Sequence, residues 1–138
     1  MSDLSTVIRN AVANCLFRGT PLPANAKNCV ALFTADPTPG ALAGVEVTAV
    51  QWPGYVRQDV GVLSEFWSEP NDGYIKNLKR VNFAANAGDQ TVIVTHMAFF
   101  DAVNGGIQGA QRALKAPKRI EPGDELSFAP GQLEVLIQ

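Results

Sequence analysis

Residues 1–19 carry apolar side chains at helical spacing. The apolar positions recur at i, i+3, i+4 and i+7, which places them on one stripe of a helix. These positions are Leu4, Val7, Ile8, Ala11, Val12, Cys15 and Leu16. Ser2 or Asp3 is the expected N-cap of this helix. Gly19 is expected to end it in the left-handed conformation, because Pro21 and Pro23 follow directly. The pattern predicts one amphipathic helix at the start of the chain.

After residue 28 the helical period gives way to the two-residue alternation that is typical of β-strands. Short apolar or alternating runs cover residues 29–33, 45–50, 55–60, 62–67, 78–83, 91–100, 107–114, 125–128 and 132–137. Turn residues separate them at Asp72-Gly73, Asn104-Gly105-Gly106, Pro122-Gly123-Asp124 and Pro130-Gly131. In the longest run, one face is expected to hold Val92, Val94, His96, Ala98 and Phe100.

About eight or nine short strands with regular turns predict a mainly β fold. We expect an antiparallel β-sandwich or a jelly-roll-like barrel, preceded by the N-terminal helix. The predicted organisation is an N-terminal docking helix over residues 1–20 and one β-sandwich domain over residues 21–138. The sequence has no second long helix for βαβ units and no collagen-like or coiled-coil repeat. The order of the strands is not encoded in the periodicity, so jelly-roll and immunoglobulin-like connectivities both stay open.

Composition narrows the class of protein. Charged residues make up 17% of the chain, below the roughly 25% of an average soluble domain. Other subunits can cover part of such a surface, or uncharged polar residues can supply it. The net charge of −2 and the short Lys/Arg runs predict no nucleic-acid partner. No apolar run reaches the roughly 20 residues of a membrane helix, and the acidic N-terminus is unlike a signal peptide, which predicts folding in a cytoplasm.

The residues that can carry chemistry form no recognisable catalytic motif. His96 is the single histidine, no serine has a G-x-S-x-G context, and the carboxylates lie mostly in turns. We therefore predict no catalytic residue, no metal site, no cofactor and no enzymatic activity. Cys15 and Cys29 have no redox or metal spacing and are expected to be small buried apolar residues.

Four aromatic residues lie in the middle of the chain: Trp52, Tyr55, Trp67 and Tyr74. Ordinary core packing is the first interpretation of this group. The alternative is a surface platform that binds a sugar or a protein. Trp52 precedes Pro53-Gly54, which predicts a loop. On that alternative, Trp52 and Tyr55 join Leu4, Val7, Ile8 and Ala11 as the candidate interface residues.

Several short phrases follow one another in a fixed order. They are Arg18-Gly19-Thr20, Thr34-Ala35-Asp36-Pro37, Gly54-Tyr55-Val56-Arg57-Gln58, the run 94–106, Pro117-Lys118, Gly123-Asp124, Leu126-Ser127-Phe128 and Gly131-Gln132-Leu133. This order resembles a family of small bacteriophage virion proteins that are labelled tail-fibre or minor structural proteins. The chain departs from that layout in Thr48–Pro53, where relatives are Gly-rich, and at Ile93-Val94. The resemblance implies a structural role and supplies no catalytic residues.

The motif residues Asp36, Arg57 and Asp101 are expected to specify the fold. Asp36 can cap its own turn, and Asp101 can brace the hairpin at Asn104-Gly105. Arg57 can pair with a carboxylate or a backbone carbonyl across strands.

The resemblance leaves the placement in the particle open. The leading expectation is a capsid decoration or cement protein, assembled in the host bacterial cytoplasm and bound to the major capsid protein as a homotrimer. The alternative is a tail- or neck-associated fibre or adaptor subunit. A carbohydrate-binding module is a weaker alternative, and a small hydrolase is the weakest. If the helix is a docking element, deletion of residues 1–19 abolishes assembly; if it closes one end of the sandwich, the deletion unfolds the domain.

Overall fold

The computed structural model describes residues 3–22, 24–37 and 45–137 of the chain. It contains two helices and, within these ranges, eight strands. The helices are α1 (Thr6–Arg18) and the single turn α2 (Leu63–Phe66). The strands are β1 (Cys29–Phe33), β2 (Gln58–Asp59), β3 (Tyr74–Lys76), β4 (Val81–Phe83), β5 (Val92–Phe100), β6 (Gln108–Ile120), β7 (Leu126–Phe128) and β8 (Glu134–Leu136). The predicted mainly β fold with one N-terminal helix is confirmed.

The strands form one four-stranded sheet and two ribbons. The sheet has the order β2-β1-β5-β6, and the ribbons pair β3 with β8 and β4 with β7. Every pairing is antiparallel. One buried cluster joins a face of the sheet to both ribbons, with Leu32 and Phe99 on the sheet side and Phe83, Phe128 and Val135 on the ribbon side. The architecture is therefore a sheet packed on two short ribbons, and the described residues do not form the paired four-stranded sheets of a jelly roll.

Strand β1 has a second apolar face. Ala31, Phe33 and Ala98 form a separate small buried cluster, and Phe100 packs against it. All five residues of Cys29–Phe33 are buried, because both faces of this strand are covered. A continuous apolar run is the pattern that such a strand requires, and the predicted bounds of residues 29–33 are confirmed.

The predicted faces of the long strand β5 are wrong beyond Val94. Val92 and Val94 belong to the main core, but so do Met97 and Phe99, whereas Ala98 lies in the second cluster. The register between β5 and β6 shifts between Val94 and His96, where the single β5 residue Thr95 lies opposite four residues of β6, 114–117. The alternation of β5 is broken at this irregularity, so Val94 and Met97, three residues apart, both reach the main core.

Two regions predicted as strands are turns or a helix. At residues 48–51, the Thr48 hydroxyl accepts a hydrogen bond from the Gln51 amide at 3.2 Å, and the Gln51 side chain accepts one from the Thr48 amide at 3.1 Å. These local bonds compete with strand pairing, so only Glu46 forms a bridge, to Phe33. Residues 62–67 are also not a strand, because Gly61 adopts φ +81° and the chain then turns into α2.

Helix α1 begins later than predicted. Its N-cap is Ser5, whose hydroxyl accepts a hydrogen bond from the Ile8 amide at 3.4 Å, so the predicted cap at Asp3 is wrong; Ser2 lies outside the described residues. Gly19 ends the helix with φ +71°, as predicted. No residue of Thr6–Arg18, all of which are described, is buried. The helix therefore lies on the surface of the body.

Candidate functional site

The most connected polar group of the described structure is Arg57, which lies just before β2. Its Nε donates to Oε2 of Glu46, and its Nη2 donates to Oε1 of the same carboxylate, both at 2.8 Å. Nη1 donates to the carbonyl oxygens of Ala102 at 3.0 Å and Gly105 at 2.7 Å. The predicted pairing of Arg57 with a carboxylate and with carbonyls is therefore present. We call Arg57, Glu46 and these carbonyls the Arg57 clamp.

The clamp lies against the second apolar cluster. The guanidinium carbon of Arg57 is 3.8 Å from the centre of the Phe100 ring, a cation–π distance. The hydrogen bonds to Glu46 are the main reason that the pKa of Arg57 is raised above its ordinary value. The guanidinium is thus held in one orientation by a carboxylate, an aromatic face and the loop that joins β5 to β6.

Tyr55 extends the clamp into the main core. Its hydroxyl donates to Oε2 of Glu46 at 2.8 Å and accepts a hydrogen bond from the Leu32 amide at 3.0 Å. Its ring stacks on Phe83 with an interplanar angle of 6°. Burial, assisted by the nearby Glu46 carboxylate, raises the pKa of Tyr55 far above its ordinary value. The candidate interface residue Tyr55 is therefore a core residue with a satisfied hydroxyl, and its predicted surface role is wrong.

Asp101 fixes the loop that Arg57 grips. Its carboxylate accepts a hydrogen bond from the Ile107 amide at 2.7 Å, and its own amide donates to the Ile107 carbonyl at 3.2 Å. Between them, Gly105 and Gly106 adopt φ +64° and +78°. The predicted bracing of the hairpin by Asp101 is present. Asp36 lies at the end of a described range, and most of its predicted turn lies outside the described residues, so its capping role stays a prediction.

A half-open cleft of about 290 Å³ lies beside the clamp. Glu46 and Arg57 line it together with the small apolar side chains of Val47, Ala49 and Val103. The two charges of the clamp neutralise each other, and no serine, cysteine or histidine is among the described residues that line the cleft. The arrangement is suited to holding the β5–β6 loop in place.

The predicted exposure of Trp52 is wrong. Its side chain is 0% exposed, and its indole N–H donates to the Ala84 carbonyl at 3.1 Å. It packs at 6.0 Å from the Tyr55 ring and 6.4 Å from the Phe83 ring. Trp67 packs edge-on against Phe99 at 5.2 Å. The core interpretation therefore holds for Trp52, Tyr55 and Trp67, whereas Tyr74 is half-buried in β3.

The helical candidate residues divide into two sets. Leu4 forms a β-bridge with Ala110 and packs against the main core, and Ile8 and Ala11 are half-buried. Val7 is 57% exposed. Leu4 thus packs on the body, and the docking role expected for this stripe stays a prediction.

Sequence reasoning missed the residue that ties the N-terminus to the body. The Asp3 amide donates to the Leu136 carbonyl, and its carboxylate accepts from the Leu136 amide, both at 2.8 Å. Nη1 of Arg112 lies 3.3 Å from the same carboxylate, and Nη2 of Arg112 lies 3.2 Å from Glu134. We call Asp3, Arg112 and Glu134 the Asp3 clasp. These contacts favour the expectation that deletion of residues 1–19 destabilises the body.

His96 and the two cysteines were the other residues considered for chemistry. The Nδ1 atom of His96 lies 2.8 Å from the Thr95 hydroxyl. Cys29 is buried, as predicted, but Cys15 is only half-buried because its helix lies on the surface. Among the described residues, no three His, Cys, Asp or Glu side chains lie close enough to share a metal ion. No helix in the described ranges is both long and apolar enough to cross a bilayer.

Comparisons with known proteins identify the family. A comparison with the curated proteins finds no match. The family model described as "Podophage GP4 fiber I protein gp80" matches residues 3–136, which extend from the Asp3 clasp to the end of β8. The predicted resemblance to phage virion structural proteins is thereby confirmed. The chain belongs to the family of the podophage GP4 fiber I protein gp80, a family of phage virion structural proteins.

Proposed function

We propose that this protein is a non-enzymatic structural subunit of a podophage fibre. The observation that carries the proposal is the family match over residues 3–136, because the family description names a fiber protein. The polar contacts of the protein agree with a structural role. The charged side chains of the Arg57 clamp and the Asp3 clasp form hydrogen bonds with each other and with the backbone. These bonds hold a loop and the N-terminal residues in place.

A fibre subunit needs neighbours. The sequence contains no shaft repeat, so the fibre role proposed here is that of a compact module that assembles with other copies and with other virion proteins. Many weak contacts between copies add through their high local concentration. A homotrimer is the expected assembly, and light scattering of the purified protein measures it directly.

Capsid decoration is the second placement. The low fraction of charged residues, 17%, suits a surface covered either by fibre subunits or by capsid proteins. The two placements differ in copy number. A fibre subunit is present in copy numbers on the order of ten, in multiples of the fibre symmetry, whereas a decoration protein follows the capsid lattice and is present in copy numbers on the order of hundreds.

The test is quantitative mass spectrometry of purified particles against the major capsid protein. A low copy number, together with antibody labelling at the tail end of the particle, is the expected result. A copy number in simple ratio to the capsid protein, with labelling over the whole shell, contradicts the fibre role and supports decoration. Absence of the protein from purified particles contradicts both placements.

A further inference from the structure

The loop that joins β5 to β6 carries the single Asn-Gly pair of the chain, Asn104-Gly105. Both residues are exposed. The side chain of an asparagine ends in an amide carbon, which the backbone nitrogen of the following residue can attack to close a cyclic imide. Glycine has no Cβ, so it leaves that nitrogen unshielded and allows the backbone angles that ring closure requires. This pair is therefore a candidate for covalent modification.

The reacting groups of this pair are not engaged elsewhere in the described structure. The loop is closed at its ends, where the Asp101 amide donates to the Ile107 carbonyl and the Asp101 carboxylate accepts from the Ile107 amide. Between these ends, the amides of residues 102–106 donate no hydrogen bond to a described residue, and the Asn104 side chain makes none either. The Asn104 side chain can thus rotate onto the Gly105 nitrogen without breaking a hydrogen bond.

Arg57 holds this loop by its carbonyl groups and leaves the amides free. Its Nη1 donates to the carbonyl oxygens of Ala102 and Gly105, whereas its Nε and Nη2 bind Glu46. The edge of the guanidinium that faces the loop is therefore the edge that Glu46 does not cover. A positive charge close to an ionising group favours the anionic form of that group. Arg57 thus favours loss of the proton from the Gly105 nitrogen, the step that makes this nitrogen a nucleophile.

We propose that Asn104 is a site of spontaneous deamidation in the folded protein. The Gly105 nitrogen loses its proton and forms a bond to Cγ of Asn104, and the bond from Cγ to the side-chain nitrogen breaks, so that ammonia leaves. Water then adds to one of the two carbonyl carbons of the cyclic imide and breaks its bond to the Gly105 nitrogen. Opening at Cγ gives an aspartate, and opening at the main-chain carbonyl gives an isoaspartate. Water is the only co-reactant, and no oxidation or reduction takes place.

Both products change the surface beside the Arg57 clamp. Each adds a negative charge, at the rim of the cleft that Asn104 and Arg57 line, to a chain whose net charge is −2. The isoaspartate also adds a carbon to the main chain between Asn104 and Gly105, which displaces the Gly105 carbonyl from Nη1 of Arg57. Ageing therefore alters the loop that the clamp holds. The inference goes beyond the fibre role and does not depend on it, because it concerns the chemistry of this loop alone.

Peptide mapping by mass spectrometry of the purified full-length protein, incubated in mildly alkaline buffer, tests the proposal. We expect residue 104 to gain the small mass that marks replacement of NH2 by OH, and an isoaspartate-specific methyltransferase to label the same peptide. The internal reference is Asn82, which is also exposed but lies in β4 opposite Ser127 and precedes the bulky Phe83. Asn104 should react at least about tenfold faster than Asn82, and its rate in the folded protein should lie within about tenfold of its rate in denaturant. An Asn104 that converts in denaturant but stays intact in the folded protein overturns the proposal.

A pair of glycine variants tests the role of the Gly105 nitrogen. G105A keeps Asn104 and places a methyl group beside the attacking nitrogen, and no atom lies within 4 Å of the added Cβ. The matched control is G123A, in another turn, where the added Cβ also meets nothing within 4 Å and φ is positive as well, +88° against +64° at Gly105. Both variants therefore carry the same kind of backbone strain. G105A should deamidate at Asn104 at least about tenfold more slowly than the wild type, and G123A should deamidate at the wild-type rate. Equal rates in the two variants contradict attack by the Gly105 nitrogen.

Discussion

Arg57 and Glu46 form a two-point ion pair in which Nε–Oε2 and Nη2–Oε1 are both 2.8 Å. The Arg57 side chain is 9% exposed and that of Glu46 is 27% exposed, so water screens the pair only weakly. Glu46 also accepts the Tyr55 hydroxyl, and Arg57 also donates to Ala102 and Gly105. One ion pair therefore connects the main core, the second apolar cluster and the β5–β6 loop.

Substitution of Arg57 by Ala should destabilise the fold. It leaves Glu46 with one fewer partner and two carbonyls unpaired, which costs about 2–3 kcal/mol of the free energy of unfolding. R57K retains the charge but not the planar fork, so it should lose about half as much. Chemical denaturation followed by circular dichroism measures both.

The matched control for Arg57 is R80A. Arg80 is exposed, and its Nη1 donates a hydrogen bond to the Ser127 hydroxyl at 3.0 Å, so its loss should cost less than about 0.5 kcal/mol. An R57A protein that unfolds at the same denaturant concentration as R80A would remove the fold-specifying role from Arg57.

The buried Tyr55 should make the protein unstable in alkali. Burial raises its pKa in the folded state, whereas the unfolded chain ionises near the ordinary value of about 10. The unfolded state then binds fewer protons than the folded state. The stability that protonated Tyr55 contributes is therefore fully present below about pH 10. Above that pH, the free energy of unfolding falls by about 1.4 kcal/mol for each pH unit.

The comparison of wild type with Y55F isolates this contribution. Y55F is less stable at neutral pH, because the Leu32 amide and Glu46 lose a partner. The difference between the two proteins should narrow as pH rises above about 10, because only the wild type carries the ionisable hydroxyl. A difference that stays constant from pH 8 to the alkaline limit, measured by urea denaturation, would show that Tyr55 ionises freely in the folded state.

The fluorescence of Trp52 should be insensitive to soluble quenchers and to added sugars. In a W67F variant Trp52 is the only tryptophan, and its side chain is 0% exposed. Acrylamide should therefore quench it far less in the folded protein than in denaturant. Addition of mono- or oligosaccharides should leave its emission unchanged. W52F should cost about 1–3 kcal/mol, from the lost bond to Ala84 and the cavity.

The parts of the fold that sequence could predict are those fixed by neighbours in the chain. The run Cys29–Phe33, the left-handed Gly19 and the hairpin at Gly105-Gly106 each require a local residue type, and each is present. The clamp was partly predictable for the same reason, since an arginine between strands needs an acceptor.

The parts that sequence could not predict depend on distant partners. The register shift at which the faces of β5 change is a property of its pairing with β6, and the sequence of β5 alone does not show it. Trp52 precedes a Pro-Gly turn, which is typical of a surface loop, yet Phe83 and Ala84 cover it. Asp3 contacts Leu136, which lies at the other end of the chain. Local sequence shows no such partner and indicates only a helix cap for an aspartate at this position.

The two cysteines should differ in reactivity. Cys29 is 0% exposed, and burial, followed by the nearby Asp59 carboxylate, raises the pKa of its thiol, so the reactive thiolate is scarce. Cys15 is half-buried on the surface helix. With iodoacetamide at neutral pH, we expect Cys15 to react about 100-fold faster or more than Cys29, which becomes accessible only on opening of the sheet.

Mass spectrometry of intact protein over time should show one modification first, and C15S should lack that fast step. In denaturant both thiols should react at similar rates. Equal rates in native buffer would mean that β1 opens readily, which contradicts a strand covered on both faces.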